Sequence, residues 1–219
     1  MKPILSIVIP VYNVAAYIEK CVASCFKQNV SDDLFEIILV NDGSTDNSLE
    51  LCEELKIDYP KIEIVSQKNK GLSGARNTGL RNAIGDYVWF VDSDDWIEEN
   101  CINRIIQKLN NKVDILWLGH DVWHNGESIK DYIPKETSNS ITGSELFTSH
   151  LNNLFYIWKF IYNREFLNSN SLTFLEGILY EDAPLGTYYI VVDGQYAASQ
   201  GNYRLEVNCG YLYCGDAAP

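Results

Sequence analysis

Positive charge is scarce in this chain. Its 219 residues hold 17 Lys and Arg against 30 Asp and Glu, a net charge of −13. A general nucleic-acid binder needs a basic face, so that class is excluded. Long apolar runs are missing too, and no stretch reaches the length that spans a bilayer. Met1 to Pro10 places one lysine before an apolar run, as a signal peptide would, but Ser6 breaks the run and no small-residue cleavage site follows. That segment reads as a first strand. Neither GxGxxG nor GxxxxGK followed by Ser or Thr occurs, so a nucleotide would be held by side chains and a metal instead of a glycine cradle. Zinc spacings are absent as well: there is no CxxC. His120, His124 and His150 are scattered, the first two reading as loop residues and the third as a surface helix residue. Cys21, Cys25, Cys52 and Cys101 fall on apolar helix faces, where cysteine behaves as a small hydrophobe. They imply a reducing compartment.

What is present is an alternation of apolar strands with single amphipathic helices. Leu5–Ile9 is a continuous apolar strand stopped by Pro10, and Asn13 is placed to cap a helix whose face is Ile18, Cys21, Val22, Cys25 and Phe26. Glu36–Val40 is the second strand. It ends in a polar turn where Thr45 or Asp46 can cap a helix carrying Leu49, Cys52 and Leu55. Ile62–Val65 is the third, leading through Lys70 and Gly71 into a small-residue helix pattern over Leu72–Gly79. Tyr87–Val91 is the fourth, followed by a helix face of Ile97, Cys101, Ile102, Ile105, Ile106 and Leu109. Such a rhythm means βαβ units around a mostly parallel sheet flanked by helices, a Rossmann-like α/β fold. Ligands of these sheets lie at the carboxyl ends of the strands. Tyr12 with Asn13, Asp42, Lys70 with Gly71, and the acids after Val91 all stand at such ends.

The fourth strand runs into Asp92, Asp94 and Asp95. Carboxylates this close raise one another's pKa unless a cation sits among them. Mg2+ or Mn2+ arriving with phosphate is a natural partner. An acidic turn that merely starts the next helix at Asp94 or Asp95 is the competing reading. Arg76 can pair with a phosphate or brace this turn, and Asp42 can accept hydrogen bonds from a base or ribose. Beyond Val113 the rhythm breaks. Ile115–Gly119 is a strand, residues 120–140 suggest a hairpin, and residues 143–154 are helix-like. Phe155–Tyr162 is rich in aromatic side chains of the kind that stack on sugar rings, and a further carboxylate pair stands at Glu181 and Asp182.

Taken as an ordered set, Ser6–Asn13, Ile38–Asp46, Gly71–Asn77, Asp92–Asp95, Trp158 with Lys159, and Glu181 with Asp182 resemble the family 2 inverting glycosyltransferases of the GT-A fold, of the bacterial polysaccharide and capsule type. The resemblance covers roughly residues 1–182. It implies a nucleotide-sugar donor, in most members a UDP-sugar, and a saccharide or lipid-linked saccharide acceptor. Pro10, Tyr12, Asn13, Lys70, Gly71 and Ser93 would line the donor site, and Asp42 would contact uracil. Arg76 would lie by the diphosphate and Asp92 by the ribose or sugar. Asp94 would be the ligand of Mn2+ or Mg2+ in the DXD motif. Asp182 would be the general base, with Trp158 and Glu181 on the acceptor side. The implied location is the cytoplasm, with the inner face of the membrane, and peripheral contact with it, left open.

Three parts follow: residues 1–112 as the nucleotide-sugar-binding half, 113–182 as a smaller acceptor-side half, and 183–219 as a β-rich tail. The tail reads as a β-hairpin around Asp-Gly turns. It resembles the last strands of prepeptidase C-terminal β-sandwich domains of secreted bacterial proteases, as if the family pattern were truncated after Asp182 and foreign residues appended. Two other functions stay open at this point. One is a nucleotide-sugar-binding module without transfer, and the other is a generic doubly wound domain for some phosphorylated metabolite.

Overall fold

The structure, a computed structural model, describes residues 2–124, 127–132, 156–177 and 205–214, with side chains for 2–121 and 156–177. Four apolar strands form its centre: β1 (Leu5–Val11), β2 (Phe35–Asn41), β3 (Ile62–Ser66) and β4 (Tyr87–Phe90). They pair in parallel in the order β3-β2-β1-β4. Near-continuous burial along β1, β2 and β4 is what a parallel sheet covered on both faces demands.

Helices supply that cover. On one face α1 (Ile18–Phe26), α2 (Ser48–Asp58) and α4 (Cys101–Leu109) meet Leu5, Ile7, Ile9, Ile37 and Leu39. On the other, α3 (Gly71–Asn82) meets Val8, Ile38, Val40 and Val88. The approach of α3 is unusually close. A Cβ added at Gly79 would fall 2.1 Å from Val8 Cγ1, so a glycine is required at that crossing.

Past β4 the sheet continues in mixed sense. A short β5 (Trp96–Ile97) follows, and α4 leads to β6 (Ile115–His124), which turns back into β7 (Glu127–Tyr132). β8 (Phe160–Asn163) inserts antiparallel between β4 and β6, and α5 (Arg164–Ser169) follows it. Asn163 caps α5, its Oδ1 accepting from Phe166 N at 2.9 Å. β9 (Leu205–Cys214) runs parallel to β6 and antiparallel to β5.

Several expectations are corrected here. Ile97 belongs to β5, not to the helix, because α4 begins only at Cys101. Its buried side chain still joins the same core. His120 and His124 lie in β6, not in a loop. The hairpin expected after Gly119 is real as β6–β7. Asn13 does not cap α1, which begins at Ile18. Asp46 accepts from Ser48 N at 3.0 Å, but Asn47 holds the cap position of α2. Asp94 and Asp95 start no helix. The helix-like 143–154 segment and His150 lie outside the described residues. So does most of the tail, whose described part is β9, a strand of the main sheet. Among the described residues no helix is long and apolar enough to cross a membrane.

Candidate functional site

Because β1 to β4 are parallel, their carboxyl ends share one edge. β1 leads outward to β2 on one side and has β4 on its other side, which makes this edge a topological switch point. Tyr12, Asn13, Asp42, Lys70, Gly71, Asp92, Ser93 and Asp94 are thereby gathered from four loops. The reversed sense of β8 puts its first residues, and the turn Ile157–Lys159 before them, at the same edge.

The first two loops are knitted together by short-range polar contacts. Asn13 has φ +55, and its Oδ1 accepts from Thr45 N at 2.8 Å while its own N–H donates to Ser44 Oγ at 3.2 Å. Val14 N donates to Ser48 Oγ at 2.8 Å. Pro10 is buried within β1, and the Tyr12 ring stands 48% exposed at the rim. Asp42 is buried, and Gln67 Nε2 at 2.6 Å and Lys70 N at 2.9 Å both donate to its Oδ1. Thr78 Oγ1 in turn donates to Gln67 Oε1 at 2.5 Å, so α3 fixes the amide that fixes the carboxylate. Gly71 opens α3 at φ +76.

Arg76 rises from α3 into the acidic turn. Its guanidinium donates to Asp92 Oδ1 at 2.7 Å, with the arginine 2% and the aspartate 24% exposed. Of the two roles open to Arg76, the geometry contains the brace. Asp94 stands beside this pair, its carboxyl held above the ordinary aspartate range, first by burial and then by the charge of Asp92. Ser93 and Asp95 are buried. Below the turn, Cys21 Sγ lies 3.6 Å from Asp92 O; burial, first, and then Cys25 and the three acids push its thiol well up.

A cation is the group this turn is suited to receive. Among the described residues no cluster of three or more His, Cys, Asp or Glu is arranged to hold a metal by itself. One carboxylate, disfavoured as an anion and bordered by another already paired, fits an ion that brings its remaining oxygens with it as phosphate and water. Asp94 is the residue that would hold it.

On the β8 side of this edge, Trp158 is buried and its carbonyl accepts from Trp89 Nε1 at 2.8 Å. Tyr156 stacks on it at 5.2 Å, His120 meets it edge-on at 5.1 Å, and Lys159 Nζ lies 4.4 Å from the Tyr156 ring. Glu181 and Asp182 lie outside the described residues. Three contributors were not singled out in the sequence: Gln67, Asn77 and Phe174. Gln67 carried no signal beyond its place in a polar turn, and Phe174 none beyond preceding the Glu181–Asp182 pair in sequence. Asn77 stood in the Gly71–Asn77 motif without a role.

A family model described as Glycosyl transferase family 2 matches residues 6–169. The chain is 36% identical over 194 residues to the uncharacterized glycosyltransferase EpsJ of Bacillus subtilis, covering 84% of this chain and 55% of that one. It is 35% identical over 113 residues to a chondroitin synthase of Escherichia coli, covering 52% of this chain and 16% of that one. Among solved structures, S. aureus TarS 1–349 in complex with UDP-GlcNAc superposes with a TM-score of 0.80 at 25% identity over 100% of this chain and 60% of that one. The chain spans 55% of EpsJ and a smaller share of the synthase.

Proposed function

The chain belongs to glycosyl transferase family 2, and we propose from it that the protein moves a sugar from a UDP-sugar donor to a hydroxyl of a saccharide or lipid-linked saccharide, with inversion, in building a cell-surface polysaccharide. The observation that carries this reading is the Arg76–Asp92 pair beside Asp94 at the switch point of a GT-A sheet. Relatives named as glycosyltransferases and a polysaccharide synthase support it, as does a structural neighbour crystallised with UDP-GlcNAc.

Each residue then has a task. Asp42, its Oδ1 engaged by Gln67 and the Lys70 amide, offers Oδ2 to the N3–H of uracil. Tyr12 supplies an exposed ring face for the base. Arg76 holds Asp92 in one orientation toward the ribose or sugar and keeps a fixed positive charge near the diphosphate. A divalent ion at Asp94 would neutralise charge growing on the departing diphosphate. Asp182 takes the proton of the acceptor hydroxyl as that oxygen bonds to the anomeric carbon and the bond to the diphosphate breaks. A single displacement needs no enzyme nucleophile, and it inverts the centre. Tyr156, half-buried and backed by the buried Trp158, gives the acceptor sugar a ring to stack on.

UDP release measured with Mn2+, a panel of UDP-sugars and oligosaccharide acceptors tests the reading. Release that needs Mn2+ and is lost in Asp182→Asn with donor binding intact is the expected result. Donor binding without release under any acceptor would reduce the protein to a binding module, and no UDP binding at all would end the proposal.

A further inference from the structure

The arm Leu172–Gly177 comes from the second half of the chain, yet it is fastened to α3 beside the donor edge. Asn77 does the fastening. Its Nδ2 donates to Phe174 O at 2.8 Å and to Glu176 Oε1 at 3.0 Å, and its Oδ1 accepts from Phe174 N at 2.8 Å. The side-chain amide thus pairs with the Phe174 backbone as a neighbouring strand would, and Asn77 and Phe174 are both buried. The Phe174 ring meets Phe90 edge-on at 4.9 Å and covers the Arg76 guanidinium at 5.6 Å. Phe90 is the last residue of β4, directly before the acidic turn.

We propose that Asn77 and Phe174 position the Arg76–Asp92 pair, so that this arm is a working part of the donor site. The proposal rests on the donor reading given above. Excluding water from one face of the guanidinium strengthens its attraction to Asp92, since the effective dielectric falls. The ring face adds a cation–π attraction that favours one guanidinium orientation. Without the amide clamp the backbone of Phe174 loses its partners. The ring is then free to leave Arg76, and Asp92 loses its fixed orientation. Asn77 touches no ligand in this scheme. It acts through Phe174 and then Arg76, and is a positioning residue.

Calorimetric titration of the full chain with UDP and Mn2+ tests it. Asn77→Ala is expected to weaken UDP by roughly tenfold or more. Phe174→Leu, which keeps an apolar filler against Phe90 but removes the ring face, should weaken it by roughly threefold, and Phe174→Tyr should restore it to within about twofold of the parent. Leu55→Ala, in the core on the opposite face of the sheet, lowers the melting temperature without touching the arm; its UDP affinity should stay within about twofold. A folded Asn77→Ala protein that binds UDP like the parent overturns the proposal. Should that variant not fold, Phe174→Leu decides: unchanged affinity overturns it, and weakened affinity rescued by Phe174→Tyr upholds it. Failure of the unmutated chain to bind UDP would strike the donor reading instead.

Discussion

Asp94 carries a charge that its surroundings in the fold disfavour. Its carboxyl is held above the ordinary range by burial first and Asp92 second. A folded-state pKa above the unfolded value means that the folded chain binds more proton between the two. The stabilising contribution is therefore full below the unfolded value, near ~3.9, and is lost as pH rises through the folded value. At neutral pH the ionised side chain weighs against the fold. Asp94→Asn is expected to raise the melting temperature of the ligand-free chain at pH 7.5 by about 1–2 °C, a small gain because solvent screens a side chain that is only half-buried. The difference should close as the pH is lowered toward 4. Mn2+ should raise the melting temperature of the parent and leave the variant unmoved. Scanning calorimetry at several pH values reads both. A less stable variant at pH 7.5 that still responds to Mn2+ would show that Asp94 is not where the charge problem lies.

At the scale of elements, the seat of α3 on β1 governs how well the edge is aligned, since Arg76, Asn77 and Thr78 all depend on it. Gly79→Ala adds a methyl 2.1 Å from Val8 Cγ1, where a fully buried β-branched neighbour cannot turn aside. The gain in helix propensity, about 1 kcal/mol, is outweighed by overpacking, and a net loss of about 2 kcal/mol follows. Val8→Ala in the same chain should recover part of it, a coupling that a double-mutant cycle of melting temperatures detects. Simple additivity would mean that helix and strand do not meet there.

This element level is also where the sequence was most legible. β1 to β4 announce themselves as apolar runs broken by polar turns, and α1, α3 and α4 as faces of small or branched residues. Their shared edge follows from parallel pairing alone, which is why the sequence by itself groups Asp42, Asp92 and Asp94. Three of the misses share one cause. Asn13 holds the loop after β2 where it was expected to cap a helix, Ile97 forms a short strand with β9, and His120 is carried into a strand against Trp158. In each case a partner distant in sequence decides, and no local pattern encodes it. Phe174 over Arg76 is the same kind of fact: the residues are 98 positions apart and meet only because α3 and the arm share a face of the sheet.

For the whole molecule the question is how the anionic donor proposed above would approach a chain of net charge −13. Near the edge, Arg76 and Asp92 cancel each other, which leaves Asp42, Asp94, Asp95 and, on β6, Asp121 against Lys70 and Lys159. The summed field therefore opposes a nucleoside diphosphate arriving alone, the reverse of electrostatic steering. Added salt shortens the range of that field, with a Debye length of about 8 Å at physiological strength. The association rate of UDP without divalent ion is accordingly expected to rise with NaCl, by roughly threefold between about 20 and about 200 mM. With Mn2+ the incoming complex carries less negative charge, and the same titration should be much flatter. Stopped-flow measurement of the two series separates the terms. An association rate that falls with salt in the absence of Mn2+ would mean that a local cationic face, not the net charge, guides the donor in, and that Lys70 and Lys159 outweigh the acids around them.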